Sequence, residues 1–310
     1  MSASNPAQEN QNQFTTPLSI KDFDILAILG NGSYANVYKA RYKMNGELYA
    51  LKAKRQDYYK KYPDKEIDDL REKEILYDIT KRNHPHIVKL YADFEDDEYK
   101  YLVMELYEGK TLNTLRGNDQ NKGYVEQNLV INILTQLLET LSFLHDTCHI
   151  IHRDITPDNI IIGADNNIKL LGFGLSAYLE NPNPKLVSRK SFKGARKYVP
   201  PEIILSPQPL HYDYKIDVFS LGFTIYSLMN PSEEGKINLP QETKGSFPNV
   251  ERIDNNLINN FYDAWLIDFV KLLYENNYEK RPTSANALEQ LKKIQIINWI
   301  QNKKMLIVNN

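Results

Sequence analysis

Two glycines and a lysine raise the first chemical possibility. In LGNGSYANVY, residues 29–38, Gly30 and Gly32 lie two apart between two strand-like runs. Glycine lets backbone N–H groups approach a phosphate oxygen more closely than a residue with a side chain allows. The same spacing serves a plain hairpin, and a dinucleotide-binding turn is disfavoured because such a turn opens a helix. Lys52 ends the strand-like run YALK, residues 49–52, where an ammonium among apolar and aromatic neighbours needs an anion. Glu72 follows twenty residues later on a charged helical segment, on the side of Leu76. Taken alone, Lys52 and Glu72 read better as two solvated surface charges. With the glycine hairpin upstream, a phosphate-orienting lysine held by a glutamate is the better reading.

A second group lies in IIHRDITPDNIII, residues 150–162, which sets Asp154 and Asn159 five apart in a loop between apolar strands. Further on, NNIKLLGFGLS, residues 166–176, runs apolar and stops at Gly172-Phe173-Gly174. Such an end is an ordinary turn or a place where backbone passes close to a ligand. His84, His86, His145, His149 and His152, with Cys148 among them, invite a metal-site reading, but HPHIV and HIIHRD are better accounted for as structural turns. His145 and His149, four apart at a helix end, have a spacing that zinc accepts. The segment 181–198 carries Lys185, Arg189, Lys190, Lys193, Arg196 and Lys197 with no acid. It reads as a solvated loop or as a dock for an acidic partner.

Strands and helices must position these groups. Residues 1–20 are rich in Asn, Gln, Ser and Pro, with nothing to bury, and read as a disordered tail. The runs FDILAILG, ANVYKARY, ELYALKAK, HIVKLYADF and YKYLVME read as strands. One helix, DKEIDDLREKEILYDITKR, interrupts them; the expectation is that Ile67, Leu70, Ile75 and Ile79 share its apolar face with Glu72. The segment VEQNLVINILTQLLETLSFLHD has apolar residues at three- and four-residue steps, a helix pattern, and helical patterns dominate from about 217 to 292. KKIQIINWIQNKKMLIV is helix or a packed extension, with Trp299 expected to anchor it.

At HRD the chain resembles the protein kinase family. The matching pieces run in order: the Gly30–Val37 hairpin, Ala50-Leu51-Lys52, Glu72, His152-Arg153-Asp154 with Asn159, Phe173-Gly174, Pro201-Glu202, Asp217 with Gly222, and Arg281 in KRPT. The resemblance covers about residues 23–292. It implies an α+β, two-lobed fold: a small antiparallel β-rich N-lobe with one helix, and a larger, mainly helical C-lobe. The expected bounds are 21–292 for the domain, with N-lobe 21–103, hinge 104–109 and C-lobe 110–292, then an extension over 293–310. It also implies ATP between the lobes. The hairpin would cover the phosphates, and Lys52, paired with Glu72, would hold the α- and β-phosphates. Met104 would back the adenine pocket, Glu105 to Tyr107 would meet the adenine edge, and Val37, Ala50 and Ile161 would sandwich the ring. Asp154 would orient or deprotonate the substrate hydroxyl and Asn159 would bind a metal. Glu202 and Arg281 would form a buried ion pair. Leu76, Leu90, His152 and Phe173, anchored by Asp217, match the apolar column of the family. Residues 181–198 would be the activation segment, where a phosphate on Ser188 or Ser191 would pair with Arg153.

Three departures from the family pattern fall in one small volume. Gly172 stands where the family carries Asp, Thr156 where Ser/Thr kinases carry Lys, and Ala195 where they carry Thr. Transfer of a γ-phosphoryl group concentrates negative charge that the family neutralises with Mg²⁺ gripped by the missing carboxylate. A hard cation needs anionic oxygen, so ATP is the expected ligand and Mg²⁺ a doubtful one. The expected function is a kinase-fold scaffold or pseudokinase with impaired magnesium-dependent transfer; the rival is an active serine/threonine kinase with atypical metal use. The remaining features set bounds. A formal charge of −2 gives no reason to expect nucleic acid as the main partner, and the single Cys148 leaves no intramolecular disulfide. No apolar run approaches the roughly 20 residues that span a bilayer. Ser2, the polar first residues and the MLIVNN end carry no lipidation or secretory signal. The expectation is a cytoplasmic or nuclear chain whose partners are ATP and another protein.

Overall fold

The computed structural model describes residues 14, 17–32, 35–117, 125–179, 198–205, 212–229 and 261–308. The chain divides into two compact units. One runs to Glu108 and takes in Lys169–Ser176; the other holds Gly109–Ile168 and the chain from Ala177 onward.

The first unit is an antiparallel five-stranded sheet with a long helix. Its strands are β1 (Phe23–Asn31), β2 (Ala35–Tyr42), β3 (Leu48–Arg55), β4 (Leu90–Glu95) and β5 (Tyr99–Glu105), in the order β1-β2-β3-β5-β4. Alternation along β3 decides what the sheet offers on each face. Tyr49, Leu51 and Ala53 enter an aromatic-rich core with Phe23, Tyr42, Tyr101 and Val103. Ala50, Lys52 and Lys54 therefore point the other way, and the register sets Lys52 opposite Val37 on β2 and Leu102 on β5. After the short helix α1 (Gln56–Lys61), helix α2 (Asp64–Arg82) buries Glu72, Ile75, Leu76 and Ile79. Its ends suit the helix dipole, with Asp64 and Glu66 in the first turn and Lys81 and Arg82 in the last. Asn83 closes it in the left-handed region at φ 55°. Ile67 and Leu70 are not on the buried face, being 61% and 47% exposed. At about 100° per residue they lie far around the helix from Glu72 and Leu76, which fix the phase.

In the second unit β6 (Lys110–Thr111) pairs with β8 (Ile160–Ile162), and β7 (Ile150–Ile151) with β9 (Ala177–Tyr178), all antiparallel. The short helix α3 (Leu112–Gly117) precedes α4 (Gln127–Ser142), which is capped by the Glu126 carboxylate accepting from the N–H groups of Asn128 and Leu129 at 3.0 Å each. It buries Val130, Ile133, Leu134, Leu137, Leu138 and Leu141, the steps read from the sequence. Helix α5 (Pro201–Leu205) leads to α6 (Lys215–Met229), buried all round from Ile216 onward, as a helix at the centre of a core must be. Helix α7 (Ala264–Leu273) packs on α6, and α8 (Ser284–Val308) packs on α4.

Helix α8 resolves the open choice for the last stretch: it is helix. Trp299 is not buried in it, being 59% exposed, and Ile296 and Ile297 are exposed too. No helix among the described residues is long and apolar enough to cross a membrane.

Gly222 sits where α6 meets α7. A Cβ there would lie 2.7 Å from the Leu273 Cβ and 2.7 Å from the Tyr274 backbone N. Gly222→Ala gains roughly 1 kcal/mol of helix propensity, but overpacking against backbone costs about 1–3 kcal/mol, and a contact this close belongs at the upper end. We expect a lower urea midpoint; an unchanged midpoint would show that α7 can retreat without loss.

Candidate functional site

The first unit carries a buried charge cluster. Lys52 Nζ donates to Glu72 Oε1 at 2.7 Å, joining β3 to α2. This pair is not solvated: the side chains are 16% and 5% exposed. The other Glu72 oxygen, Oε2, accepts from Lys54 Nζ at 2.8 Å, and Lys54 also pairs with Asp69, one turn before Glu72. Burial pushes the Glu72 carboxyl up, but two flanking ammonium groups outweigh it and bring it down to about 2. Burial lowers the Lys52 pKa, and the like charge of Lys54 adds to this against the pull of Glu72. Lys54 goes the other way. Burial works against its charge, but Glu72 and Asp69 together raise its pKa. Lys54 and Asp69 were not among the residues singled out from the sequence. The signal was present, since Lys54 lies two along β3 from Lys52 and Asp69 three before Glu72.

Around this cluster the other expected positions take defined places. Gly30 lies opposite Val37 in the β1–β2 hairpin, and the Gly32 N–H donates to the Ala35 carbonyl at 2.9 Å. Ala50 lies opposite Met104, which is buried near the end of β5. Glu105 receives Lys169 Nζ at 2.8 Å, a contact the sequence did not announce, and the same ammonium lies 5.8 Å from the centre of the Tyr107 ring. Leu76, Leu90 and Phe173 are each 1% exposed, and the turn of Phe173 packs against α2. Gly172 precedes that turn at φ 83°, ψ 38°, a left-handed conformation that glycine adopts without strain.

In the second unit the loop after β7 holds Asp154 and Asn159. The Asn159 amide donates to Asp154 Oδ2 at 2.7 Å and to the Asp154 carbonyl at 2.9 Å, so the carboxylate is aimed by the residue five along. Thr156 is buried, and its carbonyl accepts from the Asn159 N–H. Ile161 lies opposite Thr111. Asp217, 0% exposed, holds this loop from α6. It accepts the His152 and Arg153 N–H groups at 2.7 Å each, and His145 Nε2 lies 3.0 Å from Oδ2. Burial pushes the Asp217 carboxyl up, yet His145, His152 and these hydrogen bonds leave it below the usual range. His145 is thus engaged on both sides, its Nδ1 lying 2.9 Å from Ser284 Oγ, while His149 is exposed at φ 54°. Among the described residues no group of histidine, cysteine and carboxylate side chains is placed to hold a metal.

Arg153 takes φ 66° and is 6% exposed. Its Nη1 donates to the Tyr212 hydroxyl at 2.8 Å, whereas Nε and Nη2 have no hydrogen-bond partner among the described residues. Ser188, Ser191 and Ala195 lie outside the described residues. Arg281 is 1% exposed and meets Glu202 in a fork, with N–O distances of 2.6 and 3.1 Å.

The protein kinase domain model matches residues 23–291. The chain belongs to the protein kinase family. Among curated relatives, it is 35% identical over 218 residues to Aurora kinase of Candida glabrata, covering 70% of this chain and 56% of that protein. It is 35% identical over 221 residues to Aurora kinase of Saccharomyces cerevisiae, with 70% and 56% covered. Sperm motility kinase 1 of Mus musculus is 31% identical over 273 residues, with 86% and 50% covered. The chain spans about half the length of these relatives.

Glu72 titrates near 2 when folded and near 4.5 when free, so its stabilisation is complete above pH 4.5 and drains away as pH falls toward 2. The difference corresponds to on the order of 3 kcal/mol. Urea unfolding between pH 5 and 3 should show this loss, with a shallower slope in Glu72→Gln; equal slopes would place the titrating group elsewhere.

Proposed function

We propose that this chain binds ATP through the glycine hairpin and Lys52 but is impaired in magnesium-dependent phosphotransfer, and that it acts as a signalling scaffold or pseudokinase. The observation that carries this reading is Gly172. It stands at the family's metal-gripping position with no side-chain oxygen, while the Lys52–Glu72 pair is intact. Mg²⁺ demands near-octahedral oxygen ligands and gives up its waters reluctantly. Asn159 offers one neutral oxygen, and its NH₂ is already committed to Asp154. The residues present do not fit the ion, and no step is assigned to it.

What the chain's own residues do follows from their charges. Lys52 supplies a cation for the phosphates, held in place by Glu72. Asp154, aimed by Asn159, remains able to orient a hydroxyl or take its proton. Thr156 brings no charge where the family's lysine would meet the moving phosphoryl group. Losing one preorganised contact of this kind removes about 3–4 kcal/mol of transition-state stabilisation, or 10²–10³ in rate. The retained Asp154–Asn159 pair favours a second reading, an active serine/threonine kinase with atypical metal use; the relatives reported above are named as kinases.

The same proposal gives Arg153 Nε and Nη2, which have no hydrogen-bond partner among the described residues, a role as the counter-charge for a phosphate on Ser188 or Ser191. Phosphate located on either serine by mass spectrometry should raise the melting temperature, and Arg153→Gln should abolish that rise. A rise that survives the substitution would refute the pairing.

Thermal shift tests the nucleotide reading. ATP should raise the melting temperature equally with and without Mg²⁺. Gly172→Asp should make the shift magnesium-dependent, after a stability loss of roughly 1–2 kcal/mol for a side chain in the left-handed region. No shift with ATP under any condition would remove nucleotide binding, and a shift of the unaltered chain that needs Mg²⁺ would support the kinase reading instead.

A further inference from the structure

The charge cluster of the first unit holds one lysine more than nucleotide binding requires. Lys54 is 1% exposed and lies on the face of β3 that meets α2, in a position an aliphatic side chain would fill without an ionic partner. Burying an ammonium costs several kcal/mol before any partner repays it, and replacing a buried ion pair with apolar groups is often neutral or stabilising. Core filling alone therefore does not account for Lys54. Its partners do: Glu72 Oε2 at 2.8 Å, and Asp69 on the preceding turn of α2.

The four charges alternate in a ladder, Lys52–Glu72–Lys54–Asp69, with two rungs on β3 and two on α2. Glu72 gives one oxygen to each lysine. Lys52 therefore has half of a carboxylate rather than the whole, and Lys54 is kept from taking more by Asp69. We propose that Lys54 is a positioning residue for Lys52: by taking one Glu72 oxygen while tethered to Asp69, it fixes the place of Lys52 and how firmly Glu72 holds it. This deepens the nucleotide-binding reading and rests on it for its purpose. In a site poor in metal, a lysine held by half a carboxylate keeps charge to offer a phosphate, and α2 stays docked on β3 through Lys54 whichever partner Lys52 meets.

The test is made on the full chain without nucleotide, so it stands apart from that reading. The charged groups facing Lys52 are Glu72, Lys54 and Asp69. The rate at which an amine-reactive ester acylates Lys52, followed by peptide mass spectrometry across pH, reports the midpoint of its ammonium. Lys54→Met hands all of Glu72 to Lys52 and removes a like charge, so the midpoint should rise and the rate at fixed pH fall. The fall is roughly tenfold when the midpoint moves up by one on the pH scale. Asp69→Asn frees Lys54 to draw on Glu72, so the midpoint should fall and the rate increase. Lys54→Arg should keep the wild-type midpoint. A merely structural Lys54 would loosen the site in both variants and move both midpoints the same way. That outcome, or no movement, overturns the proposal. Should Lys54→Met fail to fold, the fall with the partly exposed Asp69→Asn decides the matter alone. In the same assay, acylation that ATP does not slow would remove Lys52 as a phosphate ligand while leaving the midpoints to judge Lys54.

Discussion

A single carboxylate, Glu72, holds the first unit together as a chemical device. It is buried on α2 with an ammonium at each oxygen, and neither charge would be tolerable there without the other. The arrangement follows from two periodicities. β3 sends Tyr49, Leu51 and Ala53 into the aromatic core and so must send Lys52 and Lys54 to the opposite face. α2 buries Ile75, Leu76 and Ile79, and the same face carries Glu72. Once the two apolar patterns are satisfied, the ions meet.

Asp217 has the corresponding part in the second unit. Its oxygens take the backbone N–H groups of His152 and Arg153, and the bonds offset a backbone that Arg153 would not choose, since a left-handed arginine costs of order 1–3 kcal/mol. Asp154 follows directly, so a residue on α6 fixes the backbone that leads into it while Asn159 aims its carboxylate. The strain is local and sits beside Asp154, the residue proposed to meet a substrate hydroxyl.

Much of this was legible in the sequence. The strands β1 to β5 and helix α4 follow from their alternation and their three-and-four steps, and the kinase family follows from HRD, Asn159 and the motifs around them. The misreadings have physical causes. Ile67 and Leu70 were assigned to the buried face by apolarity, whereas phase is fixed by Glu72 and Leu76. Trp299 lies in a stretch whose apolar and polar residues are mixed around the helix, so no face stands out and apolarity says little about exposure. Nothing local in the sequence announces that Asp217, 72 residues on, is the partner of His145. The alternation of β3 marks the face of Lys54, but lysine is so seldom buried that its residue type does not announce a buried ion pair.

On the proposed reading, catalytic competence turns on the charge available to a transferring phosphoryl group. Lys52 and Asp154 remain, the carboxylate expected at position 172 does not, and Thr156 brings no cation in compensation. The direct measurement is steady-state transfer of the γ-phosphate by the purified full chain with Mg²⁺ and a generic protein acceptor. The expected rate lies several orders of magnitude below the ~1–100 s⁻¹ typical of kinases. A rate within that range, lost on Asp154→Ala, would contradict impaired transfer.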